Sequence, residues 1–241
     1  MKNDLKRSIL FTVVLAFLVT PIVAQTGTSY TVRDFESWNS ATLEFKPNKK
    51  WELSFEEQLR LKDNAGAVDQ FFSEFNVTRK LPKDFSIGYG LRYIRENDDK
   101  GKVQGYENHL RWNADLAYKH KIDRFTMKYR LSYQSKNELG ISEAEGDILA
   151  KTIRLKIGAD YNIRKWKLDP EFSSEIFRDL GSFGDFSKFR LTLGTNYEFK
   201  NAGELGVFYR MEKHLNVVYP KTTNILGFQY KFTIKKKKNE K

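Results

Sequence analysis

Apolar and polar side chains alternate along most of this chain. Between Phe85 and Tyr93, for example, Phe, Ile, Tyr, Leu and Tyr occupy every second position, with Ser, Gly, Gly and Arg between them. A hydrophobic period of two residues is typical of β-strands whose two faces meet different surroundings. The pattern therefore predicts an all-β protein whose strands each carry one apolar and one polar face.

Ten segments show this alternation clearly, and a less regular eleventh contains Trp38, Leu43 and Phe45. The clear segments lie within residues 51–61, 71–77, 85–93, 106–118, 125–133, 153–161, 166–176, 189–199, 205–211 and 226–234. Many of them extend for about 9 to 13 residues, the length that a tilted strand needs to cross a lipid bilayer. Strands of soluble proteins average about 5 or 6 residues, so these lengths favour membrane-crossing strands.

The connections between the segments alternate in length. Short polar turns are predicted at residues 47–50, 81–84, 120–124, 162–165 and 200–203. Longer loops are predicted near residues 62–69, 96–105, 135–149, 178–187 and 213–221. Strands that run up and down in sequence place the short turns at one edge of the sheet and the long loops at the other, as in outer-membrane barrels.

Aromatic residues are concentrated at the predicted strand ends. Those beside the short turns are Trp51, Phe85, Tyr118, Phe125, Tyr161, Trp166 and Phe199. Those near the long loops are Tyr93, Tyr106, Tyr133 and Phe189. Two aromatic belts around a band of aliphatic residues are typical of a barrel at the two interfaces of a membrane. We therefore expect the apolar face to meet lipid, with the first set forming a lipid-interface girdle.

The polar face carries charged residues deep within the strands. The residues that we expect to line the lumen are Arg60, Arg92, Glu107, His109, Arg111, Arg130, Arg154, Glu171, Arg190 and Arg210. Fixed charges of this kind set the ion preference of a solute pathway. They also fill a narrow barrel by pairing with one another, since a barrel of about 8 strands is already filled and open porins use about 16 to 18. A structural or binding lumen and a narrow channel both stay open.

These strands are expected to form a closed, antiparallel, up-and-down barrel. A strand edge cannot be left open in hydrocarbon, because its backbone donors and acceptors find no water there. Single-chain bacterial barrels have even strand numbers. We therefore expect twelve strands, with the additional one between Tyr30 and Trp38, and ten strands as the alternative.

The first 24 residues have the organisation of a secretory signal peptide. Lys2, Lys6 and Arg7 precede a nearly continuous apolar run over residues 9–19, and Ala24 ends the segment. The apolar run is about 11 residues long, too short for a spanning helix, which needs about 20. The chain therefore divides into a signal peptide at residues 1–24, a barrel at 25–234 and a Lys-rich tail at 235–241.

The amino-acid composition excludes several kinds of chemical site. The absence of Cys excludes disulfides, thiolate metal sites and cysteine nucleophiles. Of the net charge of +11, the signal segment carries +2 and the tail +4. The three histidines show no metal-ligand spacing, and a secreted chain without a recognition motif is not expected to bind nucleic acid. We expect no cofactor and no metal.

The last strand carries a candidate assembly signal. Gly227, Tyr230 and Phe232 form a Gly-x-x-aromatic-x-aromatic pattern. This pattern resembles the ending by which the outer-membrane assembly machinery recognises barrel substrates. The resemblance implies the barrel assembly machinery and outer-membrane lipid as partners.

Several stretches together resemble a known family. They are the signal segment, Trp38, the stretch WELSFEEQLR from Trp51 to Arg60, and the stretch FSIGYGLRY from Phe85 to Tyr93. The chain resembles, over residues 30–234, the uncharacterised secreted family called domain of unknown function 2490. The resemblance implies an outer-membrane barrel of a Gram-negative bacterium, and it brings no catalytic residues.

Two other function classes compete with a non-enzymatic outer-membrane barrel that stabilises the envelope or handles a small solute. A soluble periplasmic barrel that binds a hydrophobic ligand would turn Leu53, Tyr89, Trp112 and Leu155 inward. An outer-membrane hydrolase would need a histidine at the loop side, where only His214, next to Glu212, is predicted to lie. His109 is predicted in the lumen and His120 in a short turn. We expect no enzyme.

Overall fold

The alternating segments are β-strands in the computed structural model, which describes residues 32–99, 104–142, 144, 147, 149–181 and 184–236. The strands are β1 (Val32–Lys46), β2 (Trp51–Lys62), β3 (Ala67–Lys80), β4 (Phe85–Asp98), β5 (Gly105–Ile122), β6 (Phe125–Glu138), β7 (Ala150–Tyr161), β8 (Asp169–Asp179), β9 (Phe186–Phe199), β10 (Gly203–His214) and β11 (Lys221–Lys235). The predicted signal peptide and most of the Lys-rich tail lie outside the described residues. Within the described part of the chain, no helix is long and apolar enough to cross a membrane.

The strands form one closed barrel in which each strand pairs with its neighbours in sequence, and β1 also pairs with β11. Consecutive strands are antiparallel, whereas β1 and β11 are parallel, with Val32 opposite Lys221 and Lys46 opposite Lys235. The barrel is therefore mixed, and the prediction of a wholly antiparallel barrel was wrong at this closing pair.

The predictions of twelve strands and of ten strands were both wrong, since the described residues form eleven. The expected additional strand between Tyr30 and Trp38 is the first half of β1, which runs without interruption from Val32 to Lys46. An odd number closes because the first and last strands pair in parallel. The even-number rule assumes an antiparallel closing pair, and that assumption fails here.

The connections alternate between the two ends of the barrel. One end, the short-turn end, carries residues 47–50, 81–84, 123–124, 162–168 and 200–202. The other end, the long-loop end, carries the described residues 63–66, 99, 104, 139–142, 144, 147, 149, 180–181, 184–185 and 215–220. Two turn predictions were wrong: His120 lies within β5, and Trp166 lies in the turn before β8 rather than in a strand.

The first connection of the long-loop end is a tight turn, although the sequence predicted a long loop there. Asp63, Asn64 and Ala65 all have left-handed φ angles, of 55°, 57° and 59°. The side chain of Asp34 accepts hydrogen bonds from the backbone N–H groups of Asn64 at 3.1 Å and Asp63 at 3.4 Å. These bonds offset the cost of left-handed backbone at non-glycine residues, and they tie the turn to the start of β1.

The apolar face of the strands forms the outer surface of the barrel. Leu155 is 45% exposed and Tyr89 is 52% exposed, although both lie in the middle of long strands. Glu57 is a polar residue within this surface, and its carboxylate accepts a hydrogen bond from the Ser73 hydroxyl at 2.7 Å. Most of the apolar surface of this molecule therefore faces outward.

A small aromatic and aliphatic core lies inside the barrel. Trp38, Phe208 and Ile225 form one cluster, with Trp38 only 5% exposed. Gly227 faces the same cluster, and a methyl group at this position would overlap the Phe208 ring. The interior is thus not purely polar, which the alternation alone did not predict.

Candidate functional site in the barrel lumen

The lumen contains two cavities. The larger, of about 930 Å³, reaches from the long-loop end past the middle of the barrel. The smaller, of about 290 Å³, lies nearer the short-turn end. Arg130, Lys156, Phe208, Arg210 and Gln229 contribute to the walls of both cavities. These five side chains therefore lie at the boundary between the two cavities.

The arginines that the sequence predicted for the lumen line the larger cavity. They are Arg60, Arg92, Arg111, Arg130, Arg154, Arg190 and Arg210. Glu171 lines the smaller cavity. Glu107 and His109 lie at the long-loop end of β5, with His109 Nε2 3.3 Å from Glu107 Oε2. The structure therefore brings the arginines together and leaves Glu107 and His109 in a separate group.

Glu74 pairs with two of these arginines. Its side chain lies 2.5 Å from Arg92 Nη2 and 3.3 Å from Arg111 Nη2. The sequence analysis did not single out Glu74. The alternation contained the signal, because Phe71 and Phe75 on the outer face place the intervening Glu74 on the inner face.

Glu175 and Glu212 form ion pairs with three further arginines, Arg130, Arg154 and Arg190. Glu175 lies 2.7 Å from Arg154, 3.3 Å from Arg130 and 3.5 Å from Arg190. Glu212 pairs with Arg190 and with Lys188. The Glu175 carboxylate therefore forms ion pairs with three guanidinium groups of the lumen wall.

Aromatic rings provide a second set of partners for the guanidinium groups. Arg60 Cζ lies 3.6 Å from the centre of the Trp38 ring, and Arg92 Cζ lies 3.5 Å from that of Phe72. Arg190 lies over Phe177 at 4.5 Å. Stacking of this kind is a favourable cation–π interaction, and it strengthens when the pair is shielded from water.

The sequence analysis missed these inner rings. Phe72 follows Phe71 directly, and Phe177 follows Ile176. Two adjacent apolar residues in a strand point to opposite faces, so each such pair signals one inward-facing aromatic. Only the outward-facing member fits the regular alternation, and the inner one was therefore overlooked.

Two of the arginines have no carboxylate within ion-pair distance among the described residues. Arg60 Nε donates a hydrogen bond to Gln58 Oε1 at 2.6 Å. Arg210 Nε donates to Thr192 Oγ1 at 3.0 Å. The other five arginines share the three carboxylates Glu74, Glu175 and Glu212. Lysines and arginines outnumber aspartates and glutamates in the lining of the larger cavity, so this zone of the lumen is positively charged.

The predicted girdle residues lie at the short-turn end and face outward. Ring pairs join adjacent strands there, with centroids 4.7 Å apart for Phe85 and Tyr118 and 4.7 Å apart for Phe125 and Tyr161. Exposed girdle rings at this end are Trp51, Phe85, Phe125, Trp166 and Phe199. His120 stacks against Tyr118 and Tyr129 in the same belt.

The predicted assembly residues lie on both faces of β11. Tyr230 and Phe232 are exposed on the outer surface. Gly227 faces inward, where the Phe208 ring occupies the space that a side chain would need. Packing therefore provides a structural reason for glycine at this position.

His214, the histidine considered for hydrolysis, lies at the end of β10. Its Nε2 atom is 3.8 Å from Glu212 Oε1. The Glu212 carboxylate is engaged by Arg190 and Lys188. A carboxylate held in this way by two cations is poorly suited to orient a histidine as a base.

The family of the chain follows from residues 35–217, which match the model described as protein of unknown function (DUF2490). The chain belongs to this family. The DUF2490 match begins within β1 and ends in the connection between β10 and β11, so it covers most of the barrel wall. No curated protein matches the chain, and no solved structure matches it.

Proposed function

We propose that this DUF2490 protein is an outer-membrane β-barrel of a Gram-negative bacterium that binds or passes small solutes through a charged lumen, without catalysing a reaction. The observation that carries the proposal is the direction of the two faces. Aliphatic and aromatic side chains cover the outside, and arginines and carboxylates line the inside. This is the arrangement of a barrel whose solvent is lipid.

Strand length and aromatic placement support the same proposal. The strands are 11 to 18 residues long, enough to cross a bilayer when tilted. The girdle around the short-turn end corresponds to an interfacial aromatic belt. The exposed Tyr230 and Phe232 of the last strand are available to the assembly machinery.

The side-chain directions oppose the soluble alternative. A barrel that stores a hydrophobic ligand needs an apolar interior. Tyr89 and Leu155 are exposed on the outside, and the Trp112 ring packs against Tyr89 and Tyr133 on that same surface. The larger cavity is lined mainly by polar and charged residues, with few aromatic ones.

The lumen geometry favours a binding site or a narrow pathway over a wide pore. Aromatic rings and paired charges occupy much of the interior, and the remaining space is divided into cavities of about 930 Å³ and about 290 Å³. Conduction through such a lumen is expected to be small and sensitive to the wall charges.

Envelope fractionation, gel migration with and without boiling, and planar-bilayer recording together test the proposal. We expect the protein in the outer-membrane fraction, a faster-migrating form before boiling, and small discrete conductance steps. Recovery in the soluble fraction would overturn the membrane assignment. Outer-membrane recovery without conductance would restrict the lumen to a binding or structural role.

A further inference from the structure

Trp38 lies between a carboxylate and a group of arginines in the lumen, and its Nε1 atom donates a hydrogen bond to Glu36 Oε2 at 2.9 Å. Arg60, Arg210 and Arg190 lie 3.6 Å, 5.0 Å and 5.5 Å from the centre of its ring. Arg190 is paired with Glu175 and Glu212. Arg60 and Arg210 have no such partner among the described residues, although both belong to the wall of the larger cavity.

The surroundings of Arg60 add further positive charge. Arg92, Arg111, Arg190 and Arg210 are all close enough to interact with it electrostatically. Glu56 and Glu96 also interact electrostatically with Arg60, but neither carboxylate forms an ion pair with it. The Glu56 carboxylate accepts hydrogen bonds from Thr42 and Gln58, each at 3.5 Å. Like charges gathered away from bulk water are costly unless an opposite charge accompanies them.

Lys156 extends this zone toward the smaller cavity. Its side chain belongs to the walls of both cavities, together with Arg210. No carboxylate of the described residues lies within ion-pair distance of its ammonium group. Lys156 and Arg210 thus lie at the boundary between the two cavities, and Arg60 lies on the wall of the larger cavity.

We propose that Arg60 and Arg210, beside Trp38, form a binding site for a small oxyanion, either a phosphate or a carboxylate. The planar guanidinium fork matches both anions through paired N–H donors. The Trp38 ring holds the Arg60 guanidinium in place, which reduces the entropy that Arg60 loses on binding. The anion supplies the ion-pair partner that Arg60 and Arg210 lack among the described residues.

This site deepens the proposed function, because it names the class of solute that a lumen of this kind takes. It rests on solute access to the lumen from one end of the barrel. It does not depend on conduction, because a binding site inside the lumen needs to be open to solvent at only one end. A measurement of binding inside the folded barrel is therefore the appropriate test.

Fluorine NMR of the full chain labelled with 5-fluorotryptophan provides that measurement. The chain has 4 Trp, and a Trp38→Phe variant assigns the lumen resonance. The folded protein in zwitterionic detergent is titrated separately with sodium phosphate, sodium succinate and sodium chloride at matched ionic strength. We expect phosphate or succinate to shift the Trp38 resonance saturably, with little change at Trp51, Trp112 and Trp166.

Substitutions of Arg60 and Arg210 test whether these side chains donate hydrogen bonds to the bound anion. Arg60→Gln and Arg210→Gln are each expected to weaken oxyanion binding by about tenfold or more, because each removes a charge-assisted hydrogen bond. Arg60→Lys keeps the charge but loses the fork, and should weaken binding less than Arg60→Gln. Arg95→Gln is the matched control, because Arg95 stacks on Phe71 and Tyr106 at the outer surface.

Three results would overturn the site. One is a Trp38 resonance that does not respond to either oxyanion in the wild-type protein. Another is an equal response to chloride, which would indicate general screening. The third is unchanged affinity in both glutamine variants that still show heat-modifiable migration. Recovery of wild-type protein in the soluble fraction would overturn the membrane proposal alone, because the titration needs only a folded barrel.

Discussion

Trp38 and Gly227 are register partners across the closing pair of strands, and they carry much of the interior packing at this seam. The missing side chain of Gly227 leaves the space in which the Phe208 ring lies. Trp38, Phe208 and Ile225 then pack as one cluster beneath the arginines. Small and large residues facing one another in this way fill a narrow barrel without strain.

Replacement of Gly227 by Ala tests this packing. The added methyl overlaps the Phe208 ring, and overpacking of this kind costs about 1–3 kcal/mol. We expect the variant to lose its fast-migrating folded form at a lower temperature than the wild type. Gly105→Ala is the control, because a methyl at Gly105 meets no atom within 4 Å. Equal melting of both variants would contradict the packing role.

At the scale of single strands, β7 provides a direct comparison of the two faces. Leu155 lies on the outer surface. The neighbouring Arg154 faces the lumen, where it lies 2.7 Å from Glu175 and 3.1 Å from Gln134. Adjacent residues of one strand belong to the same backbone pairing. The two positions therefore differ mainly in whether the side chain faces the outside of the barrel or the lumen.

Under the membrane proposal, Leu155→Arg is expected to impair assembly more than Arg154→Leu. An arginine on the lipid face near the midplane costs about 2–4 kcal/mol. Loss of Arg154 leaves Glu175 with Arg130 and Arg190 as partners. The measurement is the fraction of heat-modifiable protein in the envelope at matched expression. The reverse ranking of the two variants would contradict an outward lipid face.

The pairing of β1 with β11 is the element that closes the barrel, and disulfide trapping tests it. Ala41 and Tyr230 are register partners on the outer surface. Adjacent strands bring such positions within the distance that a disulfide spans, and the chain has no other Cys. We expect Ala41→Cys with Tyr230→Cys to cross-link upon oxidation.

The matched control for this pair is Ala41→Cys with Ile234→Cys, since Ile234 lies opposite Phe45 instead. Cross-linking of the control at the same yield would indicate non-specific oxidation. Failure of the first pair in protein that is otherwise folded would show that another segment intervenes between β1 and β11.

At the scale of the whole molecule, the odd strand number separates the two ends of the described chain. β1 begins at the long-loop end, and β11 finishes at the short-turn end. In a membrane, Arg33 and Lys236 would therefore lie on opposite sides. A twelve-stranded or ten-stranded barrel would place both on one side.

Single cysteines at Arg33 and at Lys236 test this arrangement without background, because the wild-type chain contains no Cys. A membrane-impermeant maleimide applied to intact cells is expected to label only one of the two positions. Both should react after the envelope is opened. Equal labelling in intact cells would contradict an eleven-stranded membrane barrel.

Much of the wall was predictable, because backbone geometry links the pattern directly to the face of the strand. Arg92 and Arg130 were assigned to the inner face from their neighbours Leu91, Tyr93, Tyr129 and Leu131, and both line the cavity. Phe72 and Phe208 were missed, because an apolar residue on the inner face interrupts the alternation that identifies strands. Their role depends on arginines from other strands.

The alternating sequence by itself determined the class of fold and the position of ten of the strands, because a period of two residues is a property of the local backbone. The alternating sequence did not determine how the barrel closes. Whether β1 is one long strand or two, and whether it meets β11 in parallel, depends on pairing between residues almost 190 positions apart, as in Val32 with Lys221. Most partners of the lumen arginines likewise come from other strands, so only the tertiary structure decided that Arg60 and Arg210 lie beside Trp38 without an ion-paired carboxylate of their own.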